Sequence, residues 1–231
     1  MRVCIVIPAY NEGKVIKSVI KKARKEFEKT KHEIDIVLIN DGSADNTADE
    51  AKKAGAIIIN HILNSGAGGA TATGLSFANQ NNYDLAVTMD ADGQHSPKDV
   101  VLGIEFALKN DIDLAIGSRL IDSRGMSRVK ILGNKGLSFI TYILFGVNVT
   151  DSQSGLRVYS RKALEQLRWK TSGYEFCSEM IWRANRLHLK IAEYPIEAIY
   201  TDYSRAKGQN NWNAINIVKS LVARRISEIF E

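Results

Sequence analysis

Cysteine is nearly absent from this chain of 231 residues: Cys4 and Cys177 are the only two, too few for a disulfide framework or a zinc site of the usual four-ligand kind. Their scarcity favours a reducing, cytosolic setting. Proline is as sparse, at three residues, and the 17 glycines form no tract, which excludes collagen-like and linker-like polypeptides. There is no self-similar period of the kind repeat proteins carry. Long apolar runs are missing as well. The longest, Gly136 to Val149, is broken by Ser138, Thr141 and Asn148 and falls short of the roughly 18 apolar residues a membrane span needs. No signal peptide opens the chain, because Met1 runs straight into a strand-like segment with Arg2 and Pro8. What remains, 45% hydrophobic and 25% charged, fits one globular domain over residues 1–231.

Charge is unevenly placed. Residues 1–118 carry 13 Lys and Arg against 16 Asp and Glu, whereas residues 119–231 carry 18 against 10. A basic second half suits nucleic acid, a phosphorylated substrate or an anionic membrane, and charge alone does not choose among them. The basic residues are interleaved with Leu, Ile and Phe, with no helix-turn-helix or RNA-binding aromatic motif, which argues against nucleic acid and for a lipid phosphate or anionic surface.

Short Val/Ile-rich runs alternate with segments of helical period, the signature of strand-helix-strand units in a mostly parallel sheet. Strands are predicted at Val3 to Ile7, Ile34 to Ile39, Ala56 to Asn60, Leu85 to Met89 and Leu114 to Gly117. Helices fall between them at Lys14 to Lys29, Asp45 to Ala54, Gly69 to Gln80 and Pro97 to Leu108, the last with Ser96 as N-cap. The second half reads as helices Lys130 to Phe145, Arg161 to Leu167, Glu175 to Leu187 and Asn213 to Phe230, with strands Leu156 to Tyr159 and Ile191 to Ile199. The fold class is α/β, a doubly wound, mostly parallel sheet flanked by helices, with ligands expected beyond the carboxyl ends of the strands.

Polar motifs fall at those ends. Asp90-Ala91-Asp92-Gly93-Gln94-His95 leaves a strand with two carboxylates at i and i+2 on one side, a hard oxygen pair that suits Mg²⁺ or Mn²⁺ and, through it, nucleotide phosphates. The bland alternative is a solvated turn. Pro8-Ala9-Tyr10-Asn11-Glu12 and Asn40-Asp41-Gly42-Ser43 close the first two strands and offer an aromatic, carboxylates and backbone groups for a base and ribose; helix capping is the competing reading of both. Asn64 to Ala70 is Gly-rich but lacks the Walker ending and the dinucleotide spacing, so close packing is favoured over a phosphate cradle.

Taken in order with Gly117-Ser118-Arg119 and Asp151-Ser152-Gln153-Ser154-Gly155-Leu156-Arg157-Val158-Tyr159, these motifs resemble the family 2 glycosyltransferases, within them the polyprenyl-phosphate sugar synthases of the dolichyl-phosphate mannose synthase type. The resemblance covers nearly the whole chain. It implies a GT-A-like fold and transfer, with inversion, of a sugar from a GDP- or UDP-linked donor to a polyprenyl phosphate, with Mg²⁺ or Mn²⁺, peripherally on the cytoplasmic face of a membrane. By the same resemblance, Pro8, Ala9, Tyr10, Glu12, Ile39 and Asp41 meet the base and ribose, Asp90, Ala91, Asp92 and Gln94 the metal and diphosphate, and Arg119 and Arg205 the donor phosphates. Asp92, Arg119 and Arg205 are then the catalytic set. Arg128, Lys135, Ser154, Arg157 and Glu179 are its acceptor-side candidates, and residues 1–118 and 119–231 its nucleotide and acceptor halves. Glu179 keeps a second reading as a buried structural carboxylate paired with Arg183 or Arg157, and Asp151 and Arg157 are divided between shaping the acceptor loop and touching phosphate. Three departures stand out: Asn40 replaces the usual Asp, Asn211 replaces the lysine of the closing loop, and no transmembrane helix follows Glu231, as in a peripheral enzyme or a shortened chain. A sugar-hydroxyl acceptor, requiring a general base such as Glu179, is the alternative within the class; a non-catalytic nucleotide sensor or membrane adaptor is the remote one.

Overall fold

A computed structural model of the chain describes residues 1–201, 203 and 212–229. The elements follow as β1 (Arg2–Ala9), α1 (Ile16–Phe27), β2 (Glu33–Asn40), α2 (Thr47–Lys53), β3 (Ile57–Asn60), α3 (Gly66–Gln80), β4 (Leu85–Thr88) and α4 (Pro97–Asn110). They continue with β5 (Leu114–Ser118), α5 (Arg128–Phe145), β6 (Arg157–Ser160), α6 (Arg161–Gln166), α7 (Phe176–Arg186), β7 (Ile191–Pro195) and α8 (Trp212–Ile229).

The strands form one seven-stranded sheet in the order β3-β2-β1-β4-β6-β5-β7. β1, β2, β3 and β4 are parallel, as are β5 and β7, while β6 runs antiparallel to both β4 and β5. Val3 to Ile7 are all buried, the continuous apolar run that a strand covered on both faces requires. Side-chain alternation sorts them. Val3, Ile5 and Ile7 join Ile16, Ile20 and Phe27 of α1 and Val100 and Ile104 of α4 in one core; Cys4 and Val6 join Ala70 and Leu75 of α3 and Met180 and Ile181 of α7 in the other. A smaller cluster, Phe145, Trp182 and Leu221, packs α5 and α8 against α7.

Two boundaries differ from expectation for tertiary reasons. The strand expected to reach Ile199 stops at Pro195, which pairs with Ser118, the last residue of β5; beyond it no partner strand continues. α3 begins at Gly66 rather than Gly69 because a distant carboxylate caps it, as described below. The expected cap of α4 is present: Ser96 Oγ accepts from Lys98 N at 3.3 Å and Pro97 opens the helix.

Candidate active site

Parallel β1, β2 and β4 deliver their carboxyl ends to one edge of the sheet, and antiparallel β6 delivers its amino end there. Asp90 after β4 and Gly155 before β6 thereby become neighbours although 65 positions separate them in the sequence. A Cβ at Gly155 would lie 2.4 Å from Asp90 Oδ1, so the absence of a side chain makes the room in which that carboxylate sits. Thr88 Oγ1 donates to Gly155 O at 2.7 Å and locks the two strand ends together.

The Asp90 to His95 turn is internally wired. Gly93 takes a φ of +79°, the left-handed conformation that the sharp reversal demands. Gln94 donates to Asp92 through its backbone N (2.9 Å) and its Nε2 (2.6 Å). Asp90 N donates to His95 Nδ1 at 3.0 Å, which places the ring proton on Nε2, 3.5 Å from Asp90 Oδ2. Burial, followed by the negative charge of Asp90, pushes the Asp92 carboxyl above its ordinary value, with Gln94 and His95 opposing. Two close carboxylates, one of them destabilised as an anion by these causes, are a donor set that a divalent cation would relieve. Among the described residues no group of three or more His, Cys, Asp and Glu is arranged to hold a metal. The fit is therefore to an ion held by one or two carboxylates and completed by water and substrate phosphates, the Mg²⁺-like mode. Gln94 serves here by orienting Asp92.

The β1 and β2 loops are latched together. Asn11 N donates to Ser43 Oγ (3.0 Å), Ala44 N to Asn11 Oδ1 (2.9 Å), Glu12 N to Thr47 Oγ1 (2.8 Å) and Gly13 N to Asp45 Oδ2 (3.0 Å). Tyr10 projects into solvent above the latch, Pro8 is half-buried, and the Ala9 and Ile39 side chains lie in the cores, so their backbones alone face the crevice. Glu12 is buried and accepts from Tyr203 Oη at 2.8 Å; burial and then Glu12 push that phenol up to about 12.

The Asp41 carboxylate caps α3: Oδ1 accepts from Ser65 N (2.8 Å), Ser65 Oγ (2.7 Å) and His61 Nδ1 (2.7 Å), and Oδ2 from Gly66 N (2.9 Å). Ser65, the N-cap residue, makes no side-chain cap bond; Asn64 Oδ1 accepts from Gly66 N at 3.0 Å, and Asp41 adds its carboxylate to that terminus from β2. Desolvation raises the Asp41 carboxyl, but the Ser65 and His61 bonds outweigh it and hold the group below its usual value.

Arg119, leaving β5, forms a bidentate pair with fully buried Asp151, Nε to Oδ2 at 2.7 Å and Nη2 to Oδ1 at 2.9 Å. Among the described residues no hydrogen bond forms at its Nη1. Gln94, His95, Arg119 and Tyr200 line one recess, which joins the arginine to the Asp90–Asp92 turn. Lys130 Nζ, near the start of α5, lies 3.9 Å above the centre of the Tyr200 ring, so the helix opens beside this recess.

The acceptor-side candidates divide. Arg128 and Lys135 stand exposed on α5. Arg157 does not: it is buried and gives Nε to Ser154 O (3.0 Å), Nη1 to Cys177 O (3.0 Å) and Nη2 to Ser152 O (2.8 Å). Ser154 and Glu179 are buried too. Arg157 spends its hydrogen bonds on carbonyls of the 151–155 loop and α7, and Glu179 spends its own on Lys170, Thr171, Arg183 and Arg224, as a buried ion must; Ser154 Oγ is buried with no hydrogen-bond partner among the described residues. Of the two structural partners expected for Glu179, Arg183 pairs with it, joined by Arg224, and Arg157 does not. Arg205 lies outside the described residues. Gly155 and Tyr203 lie at the site without having been singled out; for Gly155, its place in the Asp-Ser-Gln-Ser-Gly run was the available signal.

Residues 4–168 match the glycosyl transferase family 2 pattern, well over half of the chain. The chain belongs to the family 2 glycosyltransferases. The transferase is 39% identical to the UDP-N-acetylglucosamine--dolichyl-phosphate N-acetylglucosaminyltransferase of Methanococcus voltae, over 98% of this chain and 97% of that one. It is 30% identical to the undecaprenyl-phosphate mannosyltransferase of Micrococcus luteus, over 90% and 87%. Its fold is that of the glucosyl-3-phosphoglycerate synthase of Mycobacterium tuberculosis, solved with Mn²⁺, UDP-glucose and phosphoglyceric acid: TM-score 0.73, 21% identity, 98% of this chain and 79% of that one. This is the GT-A arrangement. No helix among the described residues of the transferase is long and apolar enough to cross a membrane.

Proposed function

We propose that this transferase moves a sugar from a nucleoside-diphosphate sugar to a polyprenyl phosphate at a membrane surface. One juxtaposition carries the reading: the Asp90–Asp92 pair and Arg119 share a sheet edge that opens beside α5. That helix contains no acidic residue, exposes Arg128 and Lys135, and leaves Val129, Leu132, Phe139 and Ile143 between 62% and 75% exposed along one stripe. Lipid would cover such a stripe, and anionic headgroups would meet its cations. The relatives named for dolichyl-phosphate and undecaprenyl-phosphate support the acceptor class, and the first of them makes UDP-N-acetylglucosamine the first donor to test.

A bound Mg²⁺ or Mn²⁺ would stabilise the charge that builds on the departing diphosphate. Asp90 and Asp92 would hold it, with Gln94 and His95 fixing their orientation. Arg119, held rigid by Asp151, offers its remaining N–H groups to the same phosphates, a preorganised donor that needs no rearrangement during reaction. The acceptor phosphate oxygen attacks the anomeric carbon as the bond to the diphosphate breaks on the opposite side, which inverts the centre. An already ionised phosphate needs no strong base. That point separates the reading from a sugar-hydroxyl acceptor: Glu179, the base such chemistry would enlist, is buried and fully engaged. Residues 1–118 then serve the nucleotide and 119–231 the acceptor.

Thermal stability against UDP, GDP and their sugar conjugates, with Mn²⁺, Mg²⁺ or chelator, tests the donor half, since a ligand of the native state raises Tm by mass action. A metal-dependent shift followed by transfer to polyprenyl phosphate, lost in Asp92→Ala, is the expected result. Full transfer by that variant overturns the assignment.

A further inference from the structure

Away from the sheet edge, one feature of the interior asks for a purpose: a carboxylate with no exposed surface, surrounded by donors. Glu179 Oε2 accepts from Thr171 N (2.9 Å), Thr171 Oγ1 (2.8 Å) and Lys170 N (3.1 Å), and Oε1 from Arg183 Nε (3.1 Å) and Arg224 Nε (3.2 Å). Burial alone would raise this carboxyl; the Thr171, Lys170 and Arg183 bonds outweigh it and keep the group below its ordinary value, an anion at neutral pH. Leaving either side of such a network unpaired is strongly unfavourable, so what the anion ties together is fixed in place.

It ties together pieces of both halves. Lys170 and Thr171 lie in the loop between α6 and α7, and the next residue, Ser172, accepts from Gly68 N at 2.7 Å. Trp169 Nε1 donates back to Gly68 O at 3.2 Å, and a Cβ at Gly68 would stand 2.5 Å from Thr171 O. The loop therefore rests directly on the first turn of α3, the turn that Asp41 caps. Arg224 comes from α8, which packs against α5. Tyr174 at the end of this loop stands half exposed, and burial, followed by the negative charge of Asp90, raises its phenol above the usual value. A continuous hydrogen-bonded path thus runs from Asp41 through the α3 turn, Ser172, Thr171 and Glu179 to Arg224.

We propose that Glu179 is a positioning residue of the transfer reaction: without touching substrate, it holds the Lys170–Tyr174 loop against the Asp41-capped first turn of α3, in fixed register with α5 and α8, the helices beside the acceptor. The inference rests on the transfer reading above. In that reading productive transfer needs donor and acceptor aligned to within a fraction of an ångström, and Glu179 bonds both to the loop on α3 and to helix α8.

Glu179→Gln is the test, since it keeps the shape but turns an amide toward Arg183 and Arg224. With a nucleotide sugar, Mn²⁺ and a short-chain polyprenyl phosphate, the variant is expected to lose about tenfold or more in kcat while the donor KM moves less than about threefold, the pattern of lost alignment with retained binding. The shape of its pH–rate profile should be unchanged. A wild-type rate with a merely lowered Tm overturns the proposal, as does a profile that has lost its acid limb, which would make Glu179 a general base. Should Glu179→Gln fail to fold, Thr171→Val removes a single bond to the carboxylate; kcat should fall by about threefold and Thr171→Ser should restore it. An undiminished rate in Thr171→Val overturns the proposal equally. Wild-type protein with no nucleotide-dependent Tm shift would instead defeat the transfer reading itself, a result that neither variant mimics.

Discussion

Gly155→Ala probes the reacting centre without changing a charge. Its Cβ would sit 2.4 Å from Asp90 Oδ1 and 2.9 Å from both Cγ and Oδ2, against the 3.4 Å at which ordinary contact begins, so the carboxylate must retreat by about 1 Å. Asp90 is half exposed at its side chain and can swing away, and Gly155 has no positive φ that alanine would strain. The Gly155 carbonyl that receives Thr88 Oγ1 is also retained, so stability should change by less than about 1 kcal/mol. Metal coordination is less forgiving, with ligand distances held to about ±0.2 Å, and a displacement of 1 Å at a reacting centre costs on the order of 100-fold in rate. The expected outcome is a folded protein of near-parental Tm that has lost most of its Mn²⁺-dependent nucleotide shift and about 100-fold in transfer. Calorimetric or fluorescence melting with and without Mn²⁺, beside an initial-rate assay, reads both. Parental metal dependence and rate in Gly155→Ala would refute the placement of Asp90 against Gly155 as the basis of the ion site.

Asp41→Asn should destabilise the fold by about 1–3 kcal/mol in urea unfolding, because one carboxylate oxygen becomes an NH₂ group facing the N–H donors of the α3 terminus. Phe139→Asp, on the exposed stripe of α5, should leave Tm and the nucleotide shift within error yet abolish flotation with anionic phospholipid vesicles. The parent stripe would bring on the order of 3–6 kcal/mol from partial burial of its large side chains in lipid, and equal flotation of parent and variant would remove α5 as the membrane contact. Asp41 and Glu179 both titrate below the ordinary carboxylate value in the folded protein, so the unfolded chain binds protons there more readily. Their stabilisation is complete above the ordinary range and is lost as pH falls through it toward the folded values. Glu179→Gln should accordingly lose fewer degrees of Tm between neutral pH and about pH 4 than the parent; an equal loss in both would show that Glu179 carries none of the acid sensitivity.

The elements were readable because their signals are local. The five-residue apolar run of β1, the stripe of α1 and the Ser96–Pro97 start of α4 each state their conformation within a few positions, and the Asp90–Asp92 turn states its chemistry in six. The motif order and the family were legible for the same reason, since each motif lies within one strand-to-helix turn. Roles that depend on what lies opposite in space were not. The Asn40–Ser43 motif stands between ligand binding and capping until Asp41 is seen to meet the start of α3, and Arg157 between phosphate contact and loop shaping until its guanidinium is found among carbonyls of the 151–155 loop and α7.

By itself, then, the sequence determined the alternation of strands and helices, the edge at which ligands should gather and the carboxylates suited to a divalent ion, because hydrophobic period and turn chemistry act over a few residues. Tertiary structure alone decided that β6 enters the sheet antiparallel and sets Gly155 beneath Asp90, that Asp151 rigidifies Arg119, and that Glu179 joins α7 to α8. Those arrangements follow from which groups must share their hydrogen bonds once water is excluded, and that condition exists only when distant segments have packed.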